Sequence, residues 1–158
     1  MKTAIYAGTF DPITNGHLEV LEKACRIFDK VILAVAEDTG KNPVFSVEER
    51  FELCKIATEE FDQVEVSKFS GLVVDFAKEV NGTALIRGLR AVSDFEYELS
   101  LALMNKKLNQ EINTIFFVPQ SKYLYLSSTM IRQVVRLGGD IKDLIPNCVV
   151  EALKKKMK

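Results

Sequence analysis

The chain of 158 residues has little cysteine, no long apolar run and no excess of either charge. Its three cysteines, Cys25, Cys54 and Cys148, lie far apart and form no CxxC pair. That scatter excludes a disulfide framework and leaves zinc without ligands at workable spacing, so free thiols in a reducing compartment are expected. The longest purely aliphatic stretch, residues 31–36, is far shorter than the roughly 20 apolar residues of a membrane span. Asp11 and Pro12 interrupt any apolar leader segment, and a soluble cytoplasmic protein is expected. Lysine and arginine number 21 against 22 aspartates and glutamates, a net charge of -1. A general nucleic-acid binder would carry surplus positive charge to neutralise phosphates, so nucleic-acid and membrane partners are not expected. What is there is an ordinary globular composition, 47% hydrophobic and 27% charged. A chain this long buries about two-thirds of its unfolded surface and needs no staple, so one domain spanning residues 1–158 is expected.

No repeat, linker or low-complexity segment breaks the chain. Short β-branched runs at residues 3–7, 31–35, 64–69, 84–86 and 114–118 alternate with segments of helical period. The continuously apolar run 31–35 reads as a parallel strand covered on both faces. Leu18, Leu21, Ala24, Cys25 and Phe28 recur at three- and four-residue steps and mark one helix face. Ser46 with Glu49 forms a capping box that opens a helix through about residue 60, and Ser93 with Glu96 opens another ending near Asn109. Further helices are predicted over residues 72–80, 128–137 and from 147 into the Lys154-Lys155-Lys156 tail. Five β units alternating with helices predict an α/β fold: a Rossmann-like, doubly wound domain with a five-stranded parallel sheet of order 3-2-1-4-5. A barrel would need eight units. In an open sheet of this kind, ligands bind outside the carboxyl ends of the strands, near the point where strand order reverses.

The strand ends therefore locate the chemistry. Gly8-Thr9-Phe10-Asp11-Pro12-Ile13-Thr14-Asn15-Gly16-His17 follows the first run, Lys41 the second, Ser70-Gly71 the third and Arg87-Gly88-Leu89-Arg90 the fourth. Pro119 through Thr129 follow the fifth. Glycine lets backbone N–H groups approach a ligand, helix N-termini add a positive dipole end, and arginine suits bidentate phosphate contacts. Each residue alone would be a solvated surface group; together they point to a phosphate-rich ligand. No GxGxxG follows the first strand and no GxxxxGK[ST] occurs, which argues against nicotinamide, flavin and P-loop chemistry. Glu37 and Asp38 sit where a dinucleotide fold carries its ribose carboxylate, a weak signal without those glycines. His17, the only histidine, follows Gly16 at the mouth of a helix. There a phosphate could meet both its side chain and the helix dipole, while the bland alternative for Asn15 is a helix N-cap.

Gly8 to Pro12 with Asn15-Gly16-His17 resembles the (T/H)xGH signature of the nucleotidyltransferase superfamily. That motif alone leaves cytidylyltransferases and nicotinate-mononucleotide adenylyltransferases open. Arg87-Gly88-Leu89-Arg90-Ala91-Val92-Ser93-Asp94-Phe95-Glu96-Tyr97-Glu98, with Lys41 and Ser127-Ser128-Thr129, is similar to a narrower marker. It is that of the bacterial phosphopantetheine adenylyltransferase family, and motif order agrees along the whole chain. Two positions depart from the family pattern: Ala7 stands where proline is common, and Thr129 where serine is usual. The resemblance implies adenylyl transfer from ATP to 4′-phosphopantetheine, giving dephospho-CoA and pyrophosphate. It implies His17, Lys41 and Arg90 as catalytic residues. ATP contacts would come from Thr9, Phe10, His17, Gly88, Leu89, Arg90, Glu98, Tyr123, Leu124, Tyr125, Leu126, Ser127, Ser128 and Thr129. Thr9, Lys41, Val73 and Arg87 would bind the acceptor. The family further implies Mg²⁺ without a protein carboxylate cage, feedback inhibition by CoA and a homohexamer. A different small-molecule nucleotidyltransferase is the alternative enzyme, and a non-catalytic nucleotide-binding module the alternative of another class.

Overall fold

The computed structural model describes residues 1–157, with the side chains of Val92 and Ser93 outside the described set. Every predicted β-branched run forms a strand: β1 (Thr3–Gly8), β2 (Lys30–Ala36), β3 (Val64–Phe69), β4 (Ala84–Gly88) and β5 (Asn113–Phe117). All pair in parallel, in the order β3-β2-β1-β4-β5. The α/β, Rossmann-like architecture expected from the sequence is thus present. β1 lies at the centre, where Ala4 pairs with Val31 and Ala84, and Tyr6 with Leu33 and Ile86. The two-residue alternation of strands turns Ala4, Tyr6, Val31, Leu33, Val35 and Ile86 to one face of the sheet. Ile5, Ile32, Ala34 and Leu85 turn to the other.

The first face carries the larger core, against α1 (Asn15–Cys25), α2 (Val47–Ala57), α5 (Ser128–Arg136) and α6 (Asn147–Lys156). The second is covered by α3 (Val73–Glu79) through Val74 and Ala77. Alongside β5 runs α4 (Val92–Leu108). Among the described residues no helix is long and apolar enough to cross a membrane.

Helix starts follow local hydrogen bonding. The predicted box opens α2: the Ser46 hydroxyl accepts from Glu49 N at 3.2 Å, and Ser46 N donates to the Glu49 carboxylate at 2.8 Å. α2 ends at Ala57 rather than near residue 60, because the Thr58 hydroxyl donates back to Cys54 O at 2.8 Å. At α1 the cap is Thr14, which sets aside the alternative of an Asn15 cap; Asn15 Nδ2 donates to Asp143 O at 3.1 Å. Phe28 lies beyond the end of α1, yet it is buried as its spacing suggested. The Ser93–Glu96 box does not start α4, whose N-cap is Ala91 without a side-chain bond; the Ser93 side chain lies outside the described residues.

Candidate active site

The carboxyl ends of β1, β4 and β5 and the loop after β2 surround a cavity of about 550 Å³. Gly8 and Thr9 enter from β1, Lys41 from the β2 side, Gly88 and Arg90 from β4, and Pro119 and Tyr123 from β5. Two helix N-termini face it: Gly16 and His17 at the start of α1, and Ser127, Ser128 and Thr129 at the start of α5. Such ends present unpaired N–H groups and a positive dipole end to an anion.

His17 is the third residue of α1 and closes a capping box with Thr14. Thr14 N donates to His17 Nδ1 at 3.0 Å, and the Thr14 hydroxyl lies 3.1 Å from the same nitrogen. A ring that accepts at Nδ1 carries its neutral-form proton on Nε2, which makes Nε2 the available donor. Burial, with the Arg90 and Arg87 charges adding to it, pushes the imidazole pKa down to about 3. Phe10 meets the His17 ring edge-on at 5.0 Å and the Tyr6 ring at 5.4 Å. Its backbone has a φ of 51°, in the left-handed region disfavoured for side chains with a Cβ. Gly8 makes room for this turn, since a Cβ there would stand 3.1 Å from Phe10 Cζ. Phe10 is therefore a wall that fixes the imidazole.

Four cations line the cavity, Lys41, Arg87, Arg90 and Arg132, against three carboxylates, Asp11, Asp94 and Glu98. Each carboxylate is already engaged. Asp11 accepts from Val44 N and Phe45 N, both at 2.9 Å. Asp94 pairs with Arg90 at 3.2 Å, while Arg90 Nη1 donates to Leu126 O at 2.6 Å. Glu98 takes a bidentate contact from Arg87 Nε and Nη2, at 2.8 and 2.6 Å. Arg87 Nη1 also donates to Ala7 O at 3.2 Å, so two of the five guanidinium N–H donors remain for a ligand. Burial alone would lower the Arg87 pKa, but the hydrogen bonds and charge of Glu98 outweigh it and the pKa is raised.

Thirteen of the sequence-predicted residues come together here: Thr9, Phe10, His17, Lys41, Arg87, Gly88, Arg90, Glu98, Tyr123, Leu126, Ser127, Ser128 and Thr129. Four do not line the cavity. Leu89 N extends the sheet by donating to Phe117 O at 2.9 Å. Val73 packs on the opposite face of the sheet, and Leu124 and Tyr125 turn out to solvent. Ser70-Gly71 is also absent, because β3 is the edge strand farthest from β4. Glu37 and Asp38 line a shallower outer pocket of about 290 Å³. Glu98 is not an exposed helix acid; it is buried.

Sequence reasoning missed Tyr6, Asp11, Arg132 and the buried Arg50 and Glu19. Glu19 receives Gln120 N at 3.0 Å and pins the exit of β5 against α1. Arg132 Nη1 donates to Asp11 O at 2.6 Å, and its Nη2 to the Thr129 hydroxyl at 3.3 Å. The threonine at 129 thus keeps the hydroxyl contact that matters locally.

Among the described residues no group of three or more His, Cys, Asp or Glu could hold a metal ion. With all three lining carboxylates engaged, the residues do not fit a protein-held metal. No activated thiol is present either: burial pushes Cys54 up to about 12 and raises Cys25 and Cys148. Such an arrangement of cations and helix N-termini can bind a polyanion and stabilise charge developing on it.

Comparison with known proteins agrees with this chemistry. The model of the cytidylyltransferase-like family matches residues 5–134. The phosphopantetheine adenylyltransferase of Caldanaerobacter subterraneus subsp. tengcongensis is 47% identical over 158 residues, covering 100% of this chain and 99% of that protein. That of Desulfitobacterium hafniense is 51% identical over 156 residues, covering 99% and 96%. A crystal structure from Vibrio parahaemolyticus, provisionally assigned as a nicotinate-nucleotide adenylyltransferase, superposes with a TM-score of 0.75 at 19% identity. It covers 98% of this chain and 99% of its own, and it supports the fold alone. The chain belongs to the cytidylyltransferase-like nucleotidyltransferases and, among them, to the phosphopantetheine adenylyltransferase family.

Proposed function

We propose that the protein transfers an adenylyl group from ATP to 4′-phosphopantetheine, releasing pyrophosphate and forming dephospho-CoA for coenzyme A synthesis. One observation carries the reading: a single cavity that holds His17 gathers four cations from separate elements, Lys41 from the loop after β2, Arg87 and Arg90 from the end of β4 and Arg132 from α5. Two phosphorylated substrates can meet there. The attacking phosphate oxygen is already anionic at pH 7, so no general base is needed. The task is to align two anions and stabilise the charge growing on the α-phosphate.

In this reading His17 Nε2–H donates to the phosphoryl oxygens of the transition state, and Thr9 holds ATP phosphates beside it. Lys41 and the two free Arg87 N–H groups hold the acceptor phosphate. Gly88, Arg90 and Glu98, with Tyr123 and Leu126 to Thr129, form the ATP side, and the α5 N-terminus receives its phosphates. Magnesium arrives with the triphosphate as part of the substrate, held by phosphates and water. CoA contains the phosphopantetheine unit and would inhibit from the same cavity. A homohexamer is the proposed assembly. The supporting feature is the stripe of Phe95, Leu99, Leu103, Met104 and Leu108 that α4 exposes, since clustered exposed apolar side chains mark interaction surfaces. We place the enzyme in the cytoplasm as one domain, without nucleic-acid or membrane partners.

Pyrophosphate release from purified protein tests the assignment. Rapid release is expected with the pair of ATP and phosphopantetheine. Faster release with nicotinate mononucleotide as acceptor, or with CTP as donor, would contradict it.

A further inference from the structure

Arg50 lies on α2 with Leu53 and Cys54, on the helix face that packs into the core. It is 1% exposed, the largest fully buried side chain of the described residues. An apolar residue of similar volume would avoid the cost of desolvating a guanidinium. What an apolar residue cannot do is hold carbonyl oxygens, and Arg50 holds three. Nε donates to Phe45 O at 3.2 Å, and Nη1 donates to Thr9 O and Ala36 O, both at 2.8 Å. These acceptors belong to the loop after β1, the last residue of β2 and the residue before the α2 cap.

Asp11, 4% exposed, works on the same junction. Its two carboxylate oxygens accept from Val44 N and Phe45 N, each at 2.9 Å. The chain leaves β2 at Ala36 and returns to the core at Val44 and Phe45. The two side chains therefore fasten both ends of the segment 37–43 and tie it to Thr9. Lys41 sits in that segment, exposed on the rim of the cavity that His17 also lines, so its place there depends on how the segment is anchored.

We infer that Arg50 and Asp11 form a buried clamp that sets Lys41 and Thr9 in register with His17, which makes Arg50 a positioning residue for the acceptor phosphate. The inference rests on the acceptor role given to Lys41 above. Lysine at position 50 would keep the charge but not the planar fork that reaches several carbonyls at once.

The test combines Arg50→Met and Asp11→Asn with Lys41→Ala and measures kcat and KM for phosphopantetheine at saturating ATP and magnesium. A small misplacement of an aligning group can cost up to about 100-fold. Arg50→Met is expected to lower kcat/KM for phosphopantetheine by about 10- to 100-fold when Lys41 is present. In the Lys41→Ala background the same change should cost at least about threefold less, the remainder passing through Thr9, because residues acting through one another are not additive. Equal losses in both backgrounds would overturn the clamp. Should Arg50→Met lose its cooperative unfolding transition, Asp11→Asn carries the same cycle with its shape kept. Amide hydrogen exchange gives a readout independent of turnover: Asp11→Asn should speed exchange across residues 39–45. Unchanged exchange there would overturn the clamp whatever the reaction. A wild-type protein inactive toward phosphopantetheine would instead defeat the functional assignment and leave the exchange result standing.

Discussion

His17→Ala is expected to lower kcat by about 10²–10³-fold, the loss seen when one preorganised donor to developing negative charge is removed. The ring is placed for that role by three contacts: Thr14 at Nδ1, Phe10 edge-on, and Tyr6 beyond. The fold should survive, because the Thr14 hydroxyl still caps the backbone N–H of residue 17. What is lost is one hydrogen bond, about 1 kcal/mol. His17→Gln separates the two roles, since glutamine at this position completes a capping box; it should recover the cap and not the turnover. The protonation state can be read directly, because there is only one histidine. In the ligand-free protein, imidazole ¹⁵N signals should keep the neutral Nε2–H pattern from pH 7.5 to 5, given a pKa near 3. Unfolded chain binds the proton below about 6.5 and folded chain does not, so this group makes stability fall as pH falls from about 6.5 to 3. Near-normal turnover of the alanine variant, or a histidine midpoint between pH 6 and 7 without ligand, would contradict the role.

Arg87→Ala should combine a large loss of activity with a loss of stability. It removes an acceptor-side cation and leaves Glu98, 7% exposed, as a buried carboxylate without its bidentate partner. Breaking a buried pair from one side costs about 3–5 kcal/mol. The lower end, about 3 kcal/mol, applies here because the Arg87 side chain is 31% exposed and so partly screened. The double change Arg87→Met with Glu98→Leu removes both charges and should regain most of the lost stability, while kcat/KM for phosphopantetheine stays depressed. Set against Glu98→Leu alone, that divergence distinguishes a ligand-binding arginine from one that only neutralises Glu98. Thermal unfolding and steady-state kinetics on wild type, Arg87→Ala, Glu98→Leu and the double variant check it. Recovery of activity along with stability in the double variant would show that Arg87 serves only the fold.

The sheet was legible because strand burial leaves a direct mark: residues 31–35 are apolar at every position, and all are buried between helices on both faces. Site residues on strand ends were legible for a similar reason, since the fold class says where ligands go. Side chains that act through buried backbone contacts were not. Arg50 reads as a solvated helix charge unless its spacing with Leu53 and Cys54 is counted; that three-and-four-residue step was the available signal. Asp11 stands inside the first strand-end motif, but nothing local indicates that its oxygens reach Val44 and Phe45, 33 and 34 residues away. Thr14 displaced Asn15 as the α1 cap because His17 could bond back to it, a choice between adjacent good capping residues that composition does not decide. The Arg87–Glu98 pair spans a strand and a helix, and its burial follows from how α4 meets β4, which periodicity alone does not specify.

The central claim is direct transfer between two aligned anions, with no adenylylated enzyme. Covalent catalysis needs a nucleophile activated by a neighbouring base or a depressed pKa. The cysteines are held above their usual range, and none of them lines the cavity. The only histidine is held neutral, with Nδ1 occupied by Thr14. Exchange of labelled pyrophosphate into ATP measures this most directly. Exchange is predicted only when phosphopantetheine or dephospho-CoA is present, and no α-phosphate label should remain on the denatured protein. Exchange with ATP alone, or label retained on the protein, would demonstrate an adenylyl-enzyme and contradict direct transfer.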